Sequence, residues 1–290
     1  MTDANSMPPR VGVIGLGAMG GSVARRLRDK NLPAVVFDLD QAAVDRAVAA
    51  GCSAAHSAAE AAKAGVVITS LPSDAPLLRV MSDPAVVKNL AGGILIELST
   101  VHPDTVKTIA AGTASASIRV IDAPVSGGPS DAAAGTLVLF VGADLADLAA
   151  ARPVLDVLGR VEHVGGVGTG KAMKLVNNAM SIGNLAVSAE ALGLGSRMGL
   201  DEQRMFEIIS TTGGRSFMFQ KHLPNVLRND FAPGFMLSLS AKDIRLALAV
   251  AAGADFDMPI ASGVSRALEE GVEQGYGAEN FSSLVKVFRP

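Results

Sequence analysis

Residues 11–38 carry the pattern that most constrains the fold of this chain. The apolar run VGVI is followed at once by GLGAMG (residues 15–20), then by a helix-like stretch, and then by AVVFD (residues 34–38). A tight glycine turn between a strand and a helix lets backbone amides approach an anion, and an acid at the end of the second strand can accept hydrogen bonds from a ribose. This combination predicts a dinucleotide-binding βαβ unit.

Each glycine of this turn has its own predicted task. Gly15 permits the tight turn, Gly17 lets the backbone approach a pyrophosphate, and Gly20 allows close packing of the helix on the strand. Cofactor contacts are predicted for Gly15, Leu16, Gly17, Ala18, Met19, Gly20 and Asp38. The Asp38 carboxylate would repel a 2′-phosphate and no arginine follows it, so we expect NAD as the cofactor rather than NADP. Alternatively, Asp38 caps the next helix.

The rest of the chain consists of two kinds of segment. Up to residue 168, short β-branched runs alternate with helical stretches, which indicates a parallel sheet covered on both faces. Residues 170–198 contain neither proline nor strand-like alternation, and they are long enough for a helix of roughly 29 residues. We therefore predict an α/β fold with a Rossmann doubly wound sheet (residues 8–168), linked by this long helix to an all-helical domain for substrate binding and oligomerisation (residues 169–290).

The composition argues against several classes of protein. A content of 49% hydrophobic and 18% charged residues indicates a core-rich globular protein, and a net charge of -3 gives no reason to expect a nucleic-acid partner. One cysteine and four scattered histidines predict neither a disulfide nor a metal site. Because no apolar run reaches the roughly 20 residues of a membrane span, and residues 1–10 do not resemble a secretory signal, we expect a cytoplasmic protein without membrane contact.

Three further segments carry candidate residues for cofactor binding or catalysis. The strand ends SLPSD (residues 70–74) and ELSTVHPD (residues 97–104) bring Leu71, Pro72 and Thr100 toward a cofactor, although each can also be an ordinary helix-starting turn residue. Residues 168–178, GTGKAMKLVNN, put two lysines and two asparagines at the start of the long helix. Lys174 shares one helix face with Lys171 and with Asn178.

Four motifs of this chain, in this order, resemble those of the β-hydroxyacid dehydrogenase family, which includes 3-hydroxyisobutyrate dehydrogenases and tartronate semialdehyde reductases. GLGAMGGSVARRL resembles the cofactor motif, DAPVSGGPSDAAAGTL the substrate motif, GTGKAMKLVNN the catalytic motif and SAKDIRLAL the fourth motif. The resemblance covers almost the whole chain. It implies an NAD(P)-dependent oxidoreductase that interconverts a small 3-hydroxy acid and its semialdehyde by hydride transfer, as a homodimer or homotetramer.

The resemblance also implies roles for individual residues. Lys174 is the implied general acid/base, and Asn178 is its substrate-binding partner. The substrate carboxylate would be held by a hydroxyl and backbone amides of Ser126, Gly127 and Gly128. Lys242 corresponds to the lysine of the fourth motif, which approaches both nicotinamide and substrate, and the cofactor contacts would include Leu71, Pro72 and Thr100. After the paired glycines many members have a Gly-Ala pair, whereas this chain has Ser130, Asp131 and Ala132, which leaves the shape of the adjoining pocket wall open.

A lysine near pKa 10.4 has to be desolvated or placed near another cation before it can exchange protons near neutrality. We expect the charges of Lys171 and Lys242 to repel the ammonium form of Lys174 and so lower its pKa. Lys171 is expected in a largely solvated first turn, and Asn177 is expected to support the backbone or the domain junction. Arg215 either reads a second acidic group of the substrate or is a surface or interdomain arginine. Two alternative functions are an imine reductase or reductive aminase, and a non-catalytic NAD sensor.

Overall fold

The computed structural model describes residues 9–289. The predicted boundary residues 8 and 290, and most of the segment tested for a secretory signal, therefore lie outside the described residues. The chain divides into two compact units, one ending at Lys174 and one beginning at Leu175. Among residues 9–289, no helix is both long enough and apolar enough to cross a membrane.

The first unit is built on one sheet of nine strands. They are β1 (Val11–Ile14), β2 (Ala34–Phe37), β3 (Ser53–Ala54), β4 (Val66–Thr69), β5 (Ile94–Glu97), β6 (Arg119–Asp122), β7 (Val125–Ser126), β8 (Leu137–Gly142) and β9 (Gly159–Gly165). Their spatial order is β3-β2-β1-β4-β5-β6-β8-β7, with β9 beside β8. Strands β1 to β6 are parallel, and β8 runs antiparallel to β6 and β7. The order reverses direction at β1 and β4, the kind of switch point at which α/β sheets bind ligands.

Helices cover both faces of this sheet. They are α1 (Ala18–Asp29), α2 (Gln41–Ala49), α3 (Ala58–Ala62), α4 (Asp74–Ser82), α5 (Pro84–Leu90), α6 (Pro103–Thr113), α7 (Pro129–Ala134) and α8 (Leu145–Leu158). Adjacent side chains of β1 enter different cores, since Val13 belongs to one apolar cluster and Ile14 to the other. A parallel strand that is buried on both sides has a continuous apolar sequence, which is why VGVI predicts such a strand.

The second unit is helical. Helix α9 (Thr169–Arg197) has 29 residues and runs through the boundary between the units. It is followed by α10 (Glu202–Ile209), α11 (Phe217–Leu227), α12 (Leu237–Gly253), α13 (Pro259–Gly271) and α14 (Val285–Phe288). One apolar cluster joins α9, α11 and α12 through residues such as Leu185, Phe219 and Ile244. The predicted fold class, a Rossmann sheet followed by a long helix and an all-helical part, is confirmed.

Candidate active site

The glycine loop, residues 15–20, closes tightly on the sheet and leaves one position open. Gly15 has a φ of 92°, and a β-carbon there would collide with the Ser70 carbonyl oxygen. A β-carbon at Gly20 would collide with the Gly15 carbonyl oxygen, whereas one at Gly17 would meet no atom within 4 Å. The first turn of α1 has no acidic residue, and no side chain caps it. These residues fit a pyrophosphate lying against Gly17 and the amides of the helix start.

Asp38 fixes the glycine loop from the end of β2. Its Oδ2 accepts a hydrogen bond from the Leu16 amide at 2.5 Å, and its Oδ1 accepts one from the Asp40 amide at 2.8 Å. Helix α2 is capped by Asp40, whose Oδ1 accepts from the Ala42 amide at 3.0 Å. The alternative interpretation of Asp38 as a helix cap is therefore wrong. Each carboxylate oxygen has a second lone pair, so a ribose hydroxyl can still bind Asp38.

The turns after β4 and β5 are joined by hydrogen bonds. The Leu71 amide donates to Ser99 Oγ at 2.8 Å, which brings the Leu71–Pro72 turn beside Ser99 and Thr100. Asp74 Oδ1 accepts from the His102 amide at 2.9 Å and from Thr105 Oγ1 at 2.6 Å. The predicted cofactor residues Leu71, Pro72 and Thr100 thus lie on neighbouring turns at the carboxyl ends of the parallel strands. Sequence reasoning missed Ser99 and Asp74, which join these turns.

The predicted substrate segment requires one correction. Ser126 ends β7, and Gly127 has a φ of 123°, as the sharp turn into α7 requires. The Gly128 amide donates to Asp131 Oδ2 at 2.7 Å, so it is not available to a substrate carboxylate as predicted. The physical reason is local, because an acid in the first turn of a helix can reach back to the amide that precedes the helix.

Lys171 is completely buried, contrary to the expectation of a solvated first turn. Its Nζ lies 2.5 Å from Glu97 Oε2 and 3.0 Å from Asp122 Oδ1, and it donates to the Glu97 carbonyl oxygen at 2.9 Å. We call these three residues the buried ion cluster. Burial lowers the pKa of Lys171, but the charges of Glu97 and Asp122 outweigh it and hold that pKa above its ordinary value. Because its ammonium is paired with Glu97 and Asp122, Lys171 does not supply the predicted cationic repulsion.

The two carboxylates of this cluster also bind backbone amides. Asp122 Oδ2 accepts from the amides of Gly168, at 2.9 Å, and Lys171, at 3.1 Å, and thereby caps the start of α9. Glu97 Oε1 accepts from the Ser99 amide at 2.8 Å. Both acids were missed as site residues. The available signal was an acid in the last position of a buried apolar strand, which is uncommon without a partner.

The remaining predicted residues lie along α9 and α12. Lys174 is half-buried, one helical turn beyond Lys171. In the second unit, buried Asn178 donates its Nδ2 to Asp243 Oδ2 at 2.7 Å, and Lys242 Nζ lies 3.0 Å from Asp243 Oδ1. Asp243 therefore holds both predicted residues of that unit, and Lys242 is a paired cation. Asn177 donates to Asn178 Oδ1 at 3.3 Å, and Arg215 lies exposed before α11.

Comparisons with known proteins identify the family of this chain. Residues 10–168 match the family model for the NAD-binding domain of 6-phosphogluconate dehydrogenase, and residues 168–288 match the model described as NAD-binding of NADP-dependent 3-hydroxyisobutyrate dehydrogenase. The 2-(hydroxymethyl)glutarate dehydrogenase of Eubacterium barkeri is 37% identical, with 96% of this chain and 94% of that protein covered. The chain belongs to the β-hydroxyacid dehydrogenase family. The prediction made from the four motifs is confirmed.

Other family members are similar over the full length. The NAD-dependent L-serine dehydrogenase of Pseudomonas aeruginosa is 36% identical, with 97% of this chain and 98% of that protein covered. The solved structure of Mycobacterium tuberculosis 3-hydroxyisobutyrate dehydrogenase with L-serine has a TM-score of 0.89 and 31% identity, and covers 98% of this chain and 100% of that chain. An imine reductase from Myxococcus stipitatus has a TM-score of 0.68 at 20% identity, which shows a shared fold alone.

Membership in this family confirms several functional predictions. The chain is an NAD-dependent oxidoreductase that acts on the CH–OH group of hydroxy acids, and NAD is its cofactor. Within residues 9–289, no group of three or more histidine, cysteine or acidic side chains is arranged to hold a metal ion.

The contacts of Asp38 predict its effect on cofactor binding. Asp38→Asn keeps the size of the side chain but removes the charge that favours two ribose hydroxyls and disfavours a 2′-phosphate. It also replaces one of the two oxygens that accept the Leu16 and Asp40 amides by an NH2 donor. We expect the Kd for NAD to rise about tenfold, equivalent to roughly 1.4 kcal/mol, and the preference for NAD over NADP to narrow. Calorimetric titration with both cofactors measures this change. Asp40→Ser, which keeps a good helix cap, is the matched control, and an unchanged cofactor preference in Asp38→Asn contradicts the assignment.

Proposed function

We propose that this enzyme oxidises a small 3-hydroxy acid to its semialdehyde with NAD, and catalyses the reverse reduction, with Lys174 as the general acid/base. The observation that carries the proposal is the position of Lys174. It lies one turn beyond a helix start that Asp122 caps at the carboxyl edge of the sheet. The glycine loop and the Leu71 and Ser99 turns follow strands at that same edge. An amine near this edge is suited to proton exchange with a bound alcohol.

The proposed reaction uses these side chains as follows. Bound NAD supplies the hydride acceptor, against the glycine loop, Asp38, Leu71, Pro72 and Thr100. As the carbon–hydrogen bond of the alcohol breaks, the neutral amine of Lys174 takes the hydroxyl proton and becomes an ammonium. In the reverse direction that ammonium returns the proton to the carbonyl oxygen. Asn178, held by Asp243, binds the substrate, and Lys242 contributes to both substrate and cofactor binding.

The substrate is proposed to be a small hydroxy acid with one carboxylate. Family members of similar sequence are named for 2-(hydroxymethyl)glutarate and L-serine, and both compounds carry a hydroxymethyl group near a carboxylate. Ser126 Oγ and the Gly127 amide are the proposed donors to that carboxylate. Asp131 adds a negative charge beside them, and Arg215 is the candidate for reading a second acidic group. The single cysteine is consistent with a cytoplasmic enzyme.

We retain the division into a cofactor domain (residues 8–168) and a substrate and oligomerisation domain (residues 169–290) as part of this proposal. The two family models meet at residue 168, which supports this division. A panel of small hydroxy acids assayed with NAD and NADP in parallel tests the reaction and the substrate together. Turnover of cyclic imines with NADPH instead, or tight NAD binding without turnover of any panel member, would favour the two alternative functions.

The role of Lys174 predicts a large and selective loss. Lys174→Ala removes the proton-transferring amine, so kcat should fall about 10²- to 10⁴-fold. The Kd for NAD should stay within about twofold, because the glycine loop and Asp38 are unchanged. Steady-state kinetics and a cofactor titration measure the two values. Lys88→Ala, at an exposed lysine of α5, is the control, and a Lys174→Ala enzyme with the kcat of that control would sink the assignment.

We also propose that a second copy of the chain covers one face of α9, giving a homodimer or homotetramer. Val176, Met180, Val187 and Leu194 are each more than half exposed, and their spacing of four, seven and seven residues places them on one helix face. An apolar stripe of this length is unusual on a monomer. A symmetric contact between two copies would bury the same stripe from both sides.

This assembly predicts a response to one charge on the stripe. Val187→Glu should shift the enzyme toward monomers, because an unpaired carboxylate would be buried in the contact. Leu145→Glu changes an exposed leucine of α8, away from the stripe, and should leave the molar mass unchanged. Light scattering at micromolar concentration measures both variants, and a monomeric wild-type protein would contradict the proposal.

A further inference from the structure

Lys171 is among the largest fully buried side chains of residues 9–289, and its charge has no direct use in the proposed reaction. Its ammonium is surrounded by Glu97 Oε2, the Glu97 carbonyl oxygen and Asp122 Oδ1 at 2.5 to 3.0 Å. The ammonium donates a hydrogen bond to the Glu97 carbonyl oxygen and is enclosed by its two ion-pair partners, with no solvent exposure. Lys171 therefore cannot exchange a proton with a substrate, and a different reason for its charge is needed.

Stability alone is a poor reason for this arrangement. Removing three charged groups from water is costly, and well-packed apolar side chains of similar volume often stabilise a core equally well. Ionic groups differ from apolar groups because they constrain the relative orientation of the residues that they join. Among residues 9–289, Glu97 Oε2 and Asp122 Oδ1 accept no hydrogen bond, and both lie in ion-pair contact with the ammonium of Lys171. Loss of that ammonium would leave two buried oxygens without a balancing cation.

Each carboxylate of the buried ion cluster also binds a segment of the proposed active site. Glu97 Oε1 accepts from the Ser99 amide, and Ser99 Oγ accepts from the Leu71 amide. Glu97 is thereby connected to the turns that follow β4 and β5, which we call the cofactor turns. Through its Oδ2, Asp122 binds the amides of Gly168 and Lys171 at the start of α9. Lys171 connects Glu97 to Asp122, because its ammonium contacts both carboxylates.

The start of α9 has little freedom to slide on the sheet. A β-carbon at Gly170 would lie 2.5 Å from the Phe140 carbonyl oxygen and 2.7 Å from the Asp122 carbonyl oxygen, so the helix backbone rests directly on β6 and β8. Lys174 follows Gly170 by four residues, about 6 Å along the helix axis. A displacement of the first turn would therefore displace the Lys174 amine by a similar amount.

We propose that Lys171 is a positioning residue that acts through Lys174. By linking Glu97 to Asp122, its ammonium fixes the first turn of α9 relative to the cofactor turns, and so places the Lys174 amine at the reacting hydroxyl. The inference rests on the proposed role of Lys174 as general acid/base. A misplacement of about 1 Å at a reacting group can cost on the order of a hundredfold in rate, so an accurate anchor near this lysine has a kinetic value beyond stability.

Two variants separate positioning from simple stabilisation. Lys171→Met keeps the length of the side chain but leaves two carboxylates without a cation. The double variant Lys171→Met with Glu97→Gln also lacks the link, but it carries one buried charge fewer, so its melting temperature should recover toward that of the wild type. Positioning predicts that kcat stays at least about tenfold low in both variants, while the Kd for NAD stays within about twofold.

A merely structural role predicts a different pattern. In that case, kcat would recover together with the melting temperature in the double variant, and this result would overturn the proposal. A Lys171→Met enzyme with wild-type kcat would overturn it as well. If Lys171→Met does not fold, kcat and melting temperature are compared in the double variant and in Glu97→Gln alone. Glu97→Gln weakens the contact between Lys171 and residue 97 but keeps an oxygen that can accept from the Ser99 amide.

Controls distinguish this proposal from the one on which it rests. Lys88→Met, at an exposed lysine of the same unit, should match the wild type in kcat, KM and melting temperature. Lys174→Ala is assayed in parallel. If Lys174→Ala is inactive while Lys171→Met is fully active, positioning alone fails. If Lys174→Ala retains full activity, the general acid/base assignment fails, whatever Lys171→Met shows.

Discussion

The ion pairs of Lys171 with Glu97 and Asp122 are the interaction on which the proposed active site depends. They lie at the carboxyl ends of β5 and β6, and they connect these strand ends to the first turn of α9. Breaking a buried pair by removing one partner typically costs about 3–5 kcal/mol, because the remaining charge is left unpaired. The cluster is therefore rigid by necessity. The proposed role of Lys174, one turn further along the helix, depends on that rigidity.

The glycine loop is fixed by a second set of contacts. Asp38 accepts from the Leu16 amide in that loop, and the collisions expected for a β-carbon at Gly15 or Gly20 show how closely the loop packs. None of these residues belongs to the buried ion cluster, although the turns after β4 and β5 are joined to the cluster through Ser99. Binding of NAD at the glycine loop and placement of the Lys174 amine therefore rest on different contacts, which is why their variants are expected to affect different kinetic constants.

The sequence predicts the fold well because its signals are local. The strand VGVI, the glycine loop and the 29-residue helix each follow from neighbouring residues, and the structure confirms them. The burial of Lys171 does not follow from the sequence, because helix periodicity shows which residues share a face but not what covers that face. Its partners are 74 and 49 residues away in the sequence, and only the sheet brings them together. The bond between Gly128 and Asp131 was missed for a different reason: the three-residue spacing was visible, but the amide was assigned to a substrate.

Amide hydrogen exchange tests most directly whether the buried ion cluster holds the start of α9 in place. The amides of Gly168 and Lys171 both donate to Asp122, so they report on the cluster itself. Compared with the wild type, the double variant Lys171→Met with Glu97→Gln should show exchange about tenfold faster or more in residues 168–174, with unchanged exchange in the glycine loop. Wild-type protection of residues 168–174 in that variant, or a uniform loss across the first unit, would contradict the account.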